Sequence, residues 1–419
     1  MRIGFFADMY LPVLNGVGIS VDTFRRSLEE MGHEVFILAP KPSFRYKEAD
    51  SHIIRFPAVK GLWFEDYMTK WPWTPANYKK VRELNLDIIH THSPAEMGVF
   101  GLSAAFRYDI PVVTTYHTDL FEYVKHYPKV FPGVLALTLA YPVIVGQPEH
   151  FRTAFSMMRP EKSIDDWNQK VVVKMLTLIH NHYDAVVAPS EKMKSMLASW
   201  GTKTRIAVIP TGVMRLPSIS SDRDRIRNYL GISTDQIMLF NVSRLSNEKN
   251  IMRLLESFTI VHKKHPEAQL VLVGQGEDEE SYRKWVQDKS LEYVVTFAGV
   301  IPHDELGAYY DACDIYVFPS KADTQGLVLH EAAAAEKPVV MIDKSITPIM
   351  KDHESCLVAK DTSKDFAKKI SDLITNSSLR ERMGKKAAKL AGLYSPLKQA
   401  SQLVRLYEDV IKYHKKFDQ

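Results

Sequence analysis

Cysteine is nearly absent: Cys313 and Cys356 are the only two in 419 residues. Two thiols build neither a disulfide framework nor a Cys-rich zinc site, and their scarcity points to a reducing cytosol. Charge imbalance is also missing. Against 54 Lys and Arg stand 50 Asp and Glu, for a formal charge of +4, which argues against a dedicated nucleic-acid binder with its concentrated basic stripe. No secretory signal is expected, because Ile3–Ala7 is too short for an apolar leader core and Asp8 follows at once. The longest uncharged stretch, Val130 to Pro148, is interrupted by Pro132, Gly133, Pro142, Gly146 and Pro148. It therefore reads as a buried or interfacial loop-helix segment rather than a membrane span. No internal repeat or low-complexity tract is present. No Asp-x-Asp motif stands out as a metal site, so no metal and no other cofactor is expected.

What the chain does hold is core-forming material. Its 19 Phe, 19 Tyr and 6 Trp exclude disorder, and its length predicts about two or three domains. Short β-rich apolar runs alternate with helical patterns throughout. Strands are expected at Arg2–Ala7, Glu34–Ala39, Ile53–Phe56, Asp87–Thr91, Val112–Tyr116, Ala185–Ala188 and Ile206–Ile209. After a Pro-, Ser- and charge-rich linker at Gly212–Arg223, a second set follows at Ile237–Asn241, Gln269–Val273, Val294–Ala298, Ile315–Phe318, Pro338–Met341 and Cys356–Val358. Apolar runs without polar alternation fit parallel strands buried on both faces. The expected organisation is an α/β domain over 1–212, a second over 213–395, and a terminal helix over 396–419 that packs back on the first. In such doubly wound sheets, ligands bind at the carboxyl ends of strands.

Three segments carry candidate chemistry at those ends. Asp8–Ser20 leaves the first strand and enters a helix through Gly16 and Gly18, where backbone N–H groups and the positive helix end suit a phosphate. Asn241–Asn250 leaves the first strand of the second set and supplies Arg244 and Lys249, cations placed for a diphosphate. Phe318–Ala332 has a turn at Gly326 before a helix, with Asp323 and Glu331 as acceptors for sugar or ribose hydroxyls.

In order and spacing these pieces resemble the family-4 retaining glycosyltransferases over nearly the whole chain. The resemblance rests on the Gly16-Val17 loop, Thr115-Tyr116-His117-Thr118, Pro189-Ser190-Glu191, Pro210-Thr211-Gly212-Val213, Arg244 with Lys249, Val273-Gly274-Gln275-Gly276, and Asp323 through Glu331. It implies two facing Rossmann-like doubly wound domains with an interdomain cleft, the GT-B type: an N-terminal acceptor domain and a C-terminal nucleotide-sugar domain. It further implies a donor site made by Gly16, Val17, Arg244, Lys249, Gly274, Gly326, Leu327, Val328 and Glu331. There Arg244 and Lys249 would neutralise the departing diphosphate, Leu327 and Val328 would add amides, and Glu331 would hold the ribose. His117 would contact the transferred sugar, beside Asp323. The family's Glu-x7-Glu signature has Glu where this chain has Asp323, which shortens the reach by one methylene.

Among such enzymes the chain looks like the bacterial diacylglycerol glucosyltransferases. That likeness lies in His90-Thr91-His92-Ser93-Pro94, in Tyr123 and Tyr127 behind His117, and in Thr324-Gln325-Gly326-Leu327. It implies transfer of a hexose, glucose from UDP-glucose, to a membrane lipid such as diacylglycerol, giving an α-glycolipid. The aromatics Trp63, Trp71 and Trp73, with Tyr123 and neighbouring lysines, suit the anionic surface of a membrane, to which the enzyme would bind peripherally on the inner, cytoplasmic face. The alternatives are a soluble sugar, polysaccharide or metabolite acceptor, a catalytically weak scaffold subunit, and a sugar-nucleotide epimerase.

Overall fold

A computed structural model describes the chain except residues 14, 44, 60–67, 70, 128–130, 147–150, 158–162, 220 and 418–419. Two compact units emerge: Met1–Gly212 joined by Pro396–Gln419, and Val213–Ser395.

The first unit is a seven-stranded sheet of β1 (Arg2–Phe6), β2 (Glu34–Pro40), β3 (Ile53–Phe56), β4 (Ile88–Thr91), β5 (Val112–Thr115), β6 (Ala185–Ala188) and β7 (Ile206–Val208), in the order β3-β2-β1-β4-β5-β6-β7. Every pairing is parallel. The order reverses at β1/β4, the switch point beside which Rossmann-type sheets bind ligands. The strands read IGFF, IIHT, VVTT and AVVA because helices cover both faces, and their residues are buried almost throughout. Ala58–Val59 and Met68–Thr69 form a small separate antiparallel pair.

The terminal helix, Pro396–Phe417, belongs to this unit. Leu403, Leu406, Tyr407 and Val410 on its apolar face are buried with Ile3, Phe5, Val21 and Leu28. Leu397, in the first turn of the helix, is exposed.

The second unit repeats the arrangement in six strands: β8 (Ile237–Val242), β9 (Ala268–Val273), β10 (Val295–Gly299), β11 (Ile315–Phe318), β12 (Val339–Met341) and β13 (Cys356–Val358), ordered β10-β9-β8-β11-β12-β13 and all parallel. Its switch point lies at β8/β11. The expected linker does not run as loop to Arg223. It ends in the helix Asp222–Tyr229, whose Arg227 is buried and bonds Asp314 Oδ2 at 3.0 Å. The chain also contains an Asp-x-Asp triplet that the sequence reading passed over, Asp222-Arg223-Asp224. It opens this helix, and Asp222 takes Arg225 and the Ile219 N–H as partners.

Candidate active site

In the first unit, β1 delivers Asp8, and the loop behind it ends at Asn15, whose side chain caps the helix Gly16–Glu30 by accepting the Gly18 N–H at 2.7 Å. Gly16 and Val17 thus occupy the first turn, where helix amides lack intrahelical partners. Asp8 serves the neighbouring helix, Glu96–Tyr108, which has no cap of its own. Its Oδ1 accepts the Met97 N–H at 2.9 Å, and the Ser93 hydroxyl bonds its other oxygen. Burial, and then the nearby charge of Asp8, push the Glu96 carboxyl up to about 7.

His117 follows β5. Its Nε2 lies 3.0 Å from His92 Nδ1, and the two rings stack at 5.2 Å. Burial lowers the His117 imidazole to about 4, so it is neutral at physiological pH. Tyr123, on the helix Leu120–His126, is half-buried and stacks on Tyr127 at 4.6 Å. Trp71 is exposed, whereas Trp73 is half-buried against the core, its ring edge-on to Trp71 at 4.8 Å. Trp63 lies outside the described residues.

In the second unit, three loops at the carboxyl ends of β8, β9 and β11 converge. Gly274 has a φ of +127°, and a Cβ there would sit 1.9 Å from the Ser243 carbonyl oxygen. Only glycine allows that approach. It lets the Gly274-Gln275-Gly276 turn lie along Ser243–Leu245, where Leu245 N–H bonds the Gln275 carbonyl at 3.0 Å. Gly274 therefore fixes the loop that presents Arg244. Arg244 is half-exposed and pairs with Glu248 at 2.7 Å. Lys249, 16% exposed, holds Asp323 at 2.8 Å. The sequence reading assigned these two separate duties, and the structure brings them into direct contact.

Gly326, with a φ of +67°, starts the helix Leu327–Ala334 and leaves the Leu327 and Val328 amides in its first turn. Glu331, one turn on, is buried. It takes Tyr310 OH at 2.7 Å and His303 Nε2 at 2.9 Å. The Glu331 hydrogen bond raises the His303 imidazole above its ordinary value. The sequence reading missed His303, Tyr310, Glu248 and the part played by His92. Only position could have signalled them: His303 follows β10 and His92 follows β4, each at a strand's carboxyl end.

Two such sheets, one ending in a phosphate-suited helix turn and a half-buried histidine, the other in paired cations and an acid beside a helix N-terminus, define a glycosyltransferase of the GT-B fold. The fold agrees with Anabaena HepE in complex with UDP-glucose, at a TM-score of 0.69 and 17% identity over 98% of this chain and 100% of that one. The Glycosyltransferase Family 4 model matches residues 14–214, and the Glycosyl transferases group 1 model matches residues 222–390. The chain is 31% identical to the α-monoglucosyldiacylglycerol synthase of Streptococcus pneumoniae, over 81% of this chain and 70% of that protein. It is 28% identical to the synthase of the same name from Acholeplasma laidlawii, over 81% of this chain and 80% of that one. The chain belongs to the family-4 glycosyltransferases, and the protein is a glycosyltransferase.

Proposed function

We propose that the protein transfers glucose from UDP-glucose to diacylglycerol with retention of configuration, at the cytoplasmic surface of a membrane. The observation that carries this reading is the likeness to the two α-monoglucosyldiacylglycerol synthases across four-fifths of the chain. UDP-glucose is also the molecule held by HepE.

Breaking the sugar–phosphate bond places growing negative charge on the diphosphate. Arg244, Lys249 and the Leu327 and Val328 amides would stabilise it with fixed charge and dipoles, without a metal ion or other cofactor. Glu331 would accept the ribose hydroxyls. His117, neutral, would bond the transferred sugar. Asp323, held as a carboxylate against Lys249, would orient sugar hydroxyls. Attack on the face that the diphosphate leaves lets a donor phosphate oxygen take the acceptor proton, and this gives retention without a paired-carboxylate glycosidase arrangement.

Asp323→Glu tests the short acid. Glu adds a methylene between backbone and carboxylate at a 2.8 Å contact whose two side chains are mostly buried, so Lys249 must retreat or the acid must turn. Transfer should fall, or donor preference shift, by about 10-fold, equal to roughly 1.4 kcal/mol. Equal rates with both acids would show that this contact does not set sugar placement.

Among the described residues no helix is long and apolar enough to cross a membrane. A lipid acceptor must then be met from the surface. Trp71, Val143 on the helix Phe131–Ile144, and Phe155 on the helix Phe151–Met157 are exposed apolar side chains of the first unit. Lys79 and Lys80 are exposed on the helix Pro75–Glu83. Aromatics favour the headgroup level, and each lysine near anionic lipid contributes on the order of 1 kcal/mol, screened by salt. Sedimentation with liposomes should rise with anionic lipid and fall with salt. Replacing Trp71, Val143 and Phe155 with Ser should weaken it while sparing donor hydrolysis. A wild-type protein that stays in the supernatant with every liposome would remove the membrane from the account.

A further inference from the structure

Three histidines stack at the carboxyl ends of β4 and β5. His90 and His92 lie with ring centroids 4.2 Å apart and planes 30° from parallel, and His92 and His117 at 5.2 Å and 24°. The innermost ring is clamped at both nitrogens. His90 Nδ1 meets Tyr407 OH of the terminal helix at 2.5 Å, and its Nε2 meets Thr115 Oγ1 at 2.7 Å. Phe5 closes edge-on against His92 at 4.6 Å. His92 is 1% exposed, so the stack leaves it no room to turn. Its Nδ1 lies 3.0 Å from His117 Nε2, and its own Nε2 has no hydrogen-bond partner among the described residues.

Burial lowers His90 and His92 well below the ordinary histidine range and His117 to about 4, so all three rings are neutral near pH 7. One proton then sits between His92 and His117. If His117 donated it from Nε2, the proton of His92 would lie on its own Nε2, as a buried N–H with no acceptor among the described residues. If His92 donates from Nδ1, only a lone pair goes unused. Buried orphan N–H groups are rarer than unused acceptors and carry the full desolvation cost.

We propose that His92 is a positioning residue that donates its Nδ1–H to His117 Nε2 and thereby fixes His117 as the Nδ1–H tautomer, a neutral hydrogen-bond donor to a hydroxyl of the transferred sugar. The proposal rests on the reading of His117 as the sugar-contacting residue. It gives His92 a role apart from packing, and it makes His117 a donor rather than a general base. Through His90, the same stack anchors this part of the site on Tyr407, outside the residues matched by either family model.

Two substitutions separate positioning from packing. His92→Phe keeps an aromatic ring in the stack and removes the donor. His92→Asn gives up the ring and keeps an N–H near the place of Nδ1. A misdirected sugar contact costs on the order of 10²-fold. Turnover of His92→Phe should therefore fall by about that factor with the donor KM little changed, and His92→Asn should stay within a few-fold of wild type. Wild-type turnover in His92→Phe, or an equal loss in both variants, would overturn the proposal. Imidazole nitrogen NMR of the wild-type protein with 15N-labelled histidine judges the tautomer even if a variant fails to fold. His117 should carry its proton on Nδ1, and a proton on Nε2 would overturn the assignment. His117→Ala, assayed alongside, tests the reading beneath it: unchanged turnover there would remove His117 from sugar contact, while the spectrum still decides the tautomer.

Discussion

Replacing Lys249 or Arg244 with alanine is expected to lower turnover by about 10²–10³-fold, the usual effect of removing one preorganised charge contact, about 2.7–4 kcal/mol, from a developing anion. Both variants also break an ion pair with a mostly buried acid: Arg244 pairs with Glu248, whose side chain is 7% exposed, and Lys249 with Asp323, whose side chain is 19% exposed. Breaking such a pair costs about 1–3 kcal/mol, and a lower melting temperature should accompany the lost rate in each. Steady-state kinetics beside thermal melting checks both. Near-normal turnover in both variants with a donor that the wild type uses would show that the diphosphate is neutralised elsewhere.

The second large effect is expected at Glu331. Its two oxygens already take Tyr310 and His303, an arrangement that fixes the carboxylate and leaves further lone pairs to accept ribose hydroxyls. Glu331→Ala removes a charged acceptor, worth about 1.5–3 kcal/mol per hydrogen bond, and the donor KM should rise about 10²-fold with a smaller change in turnover. Glu331→Gln, which keeps one acceptor oxygen, should fall between. His303 adds a pH dependence. Its value is raised in the folded protein, so its charged contact with Glu331 is complete below the ordinary histidine value and is lost as pH rises through the raised one. Donor affinity should follow that contact downward as pH rises. A Glu331→Ala enzyme with unchanged donor KM would place the ribose elsewhere.

The strands were legible because parallel strands covered on both faces must be continuous apolar runs, and Glu34–Pro40 or Ile315–Phe318 can be little else. Each strand of both sheets lies within one residue of its expected ends. Four short helices, Leu120–His126, Phe151–Met157, Glu191–Ser199 and Asp222–Tyr229, were not legible; they span about two turns each and draw their stability from packing, whereas the equally short Leu327–Ala334 was marked by the Gly326 turn before it. Of the candidate site, residue types near strand ends were legible, in Arg244, Lys249, Asp323 and Glu331. Its pairings were not. Lys249 meets Asp323 across 74 positions, and His303 meets Glu331 across 28, separations over which only the folded sheet sets distance. Nor does sequence reveal that Gly274 serves the Arg244 loop by letting two backbones touch.

The most direct test of the account is to offer the protein UDP-glucose and liposomes containing diacylglycerol, beside other nucleotide-sugars and soluble acceptors, and to resolve products by mass and by anomeric configuration. The account predicts α-glucosyl-diacylglycerol as the main product, formed from UDP-glucose. A product on a soluble acceptor with no glycolipid, or a glycolipid of β configuration, would contradict it.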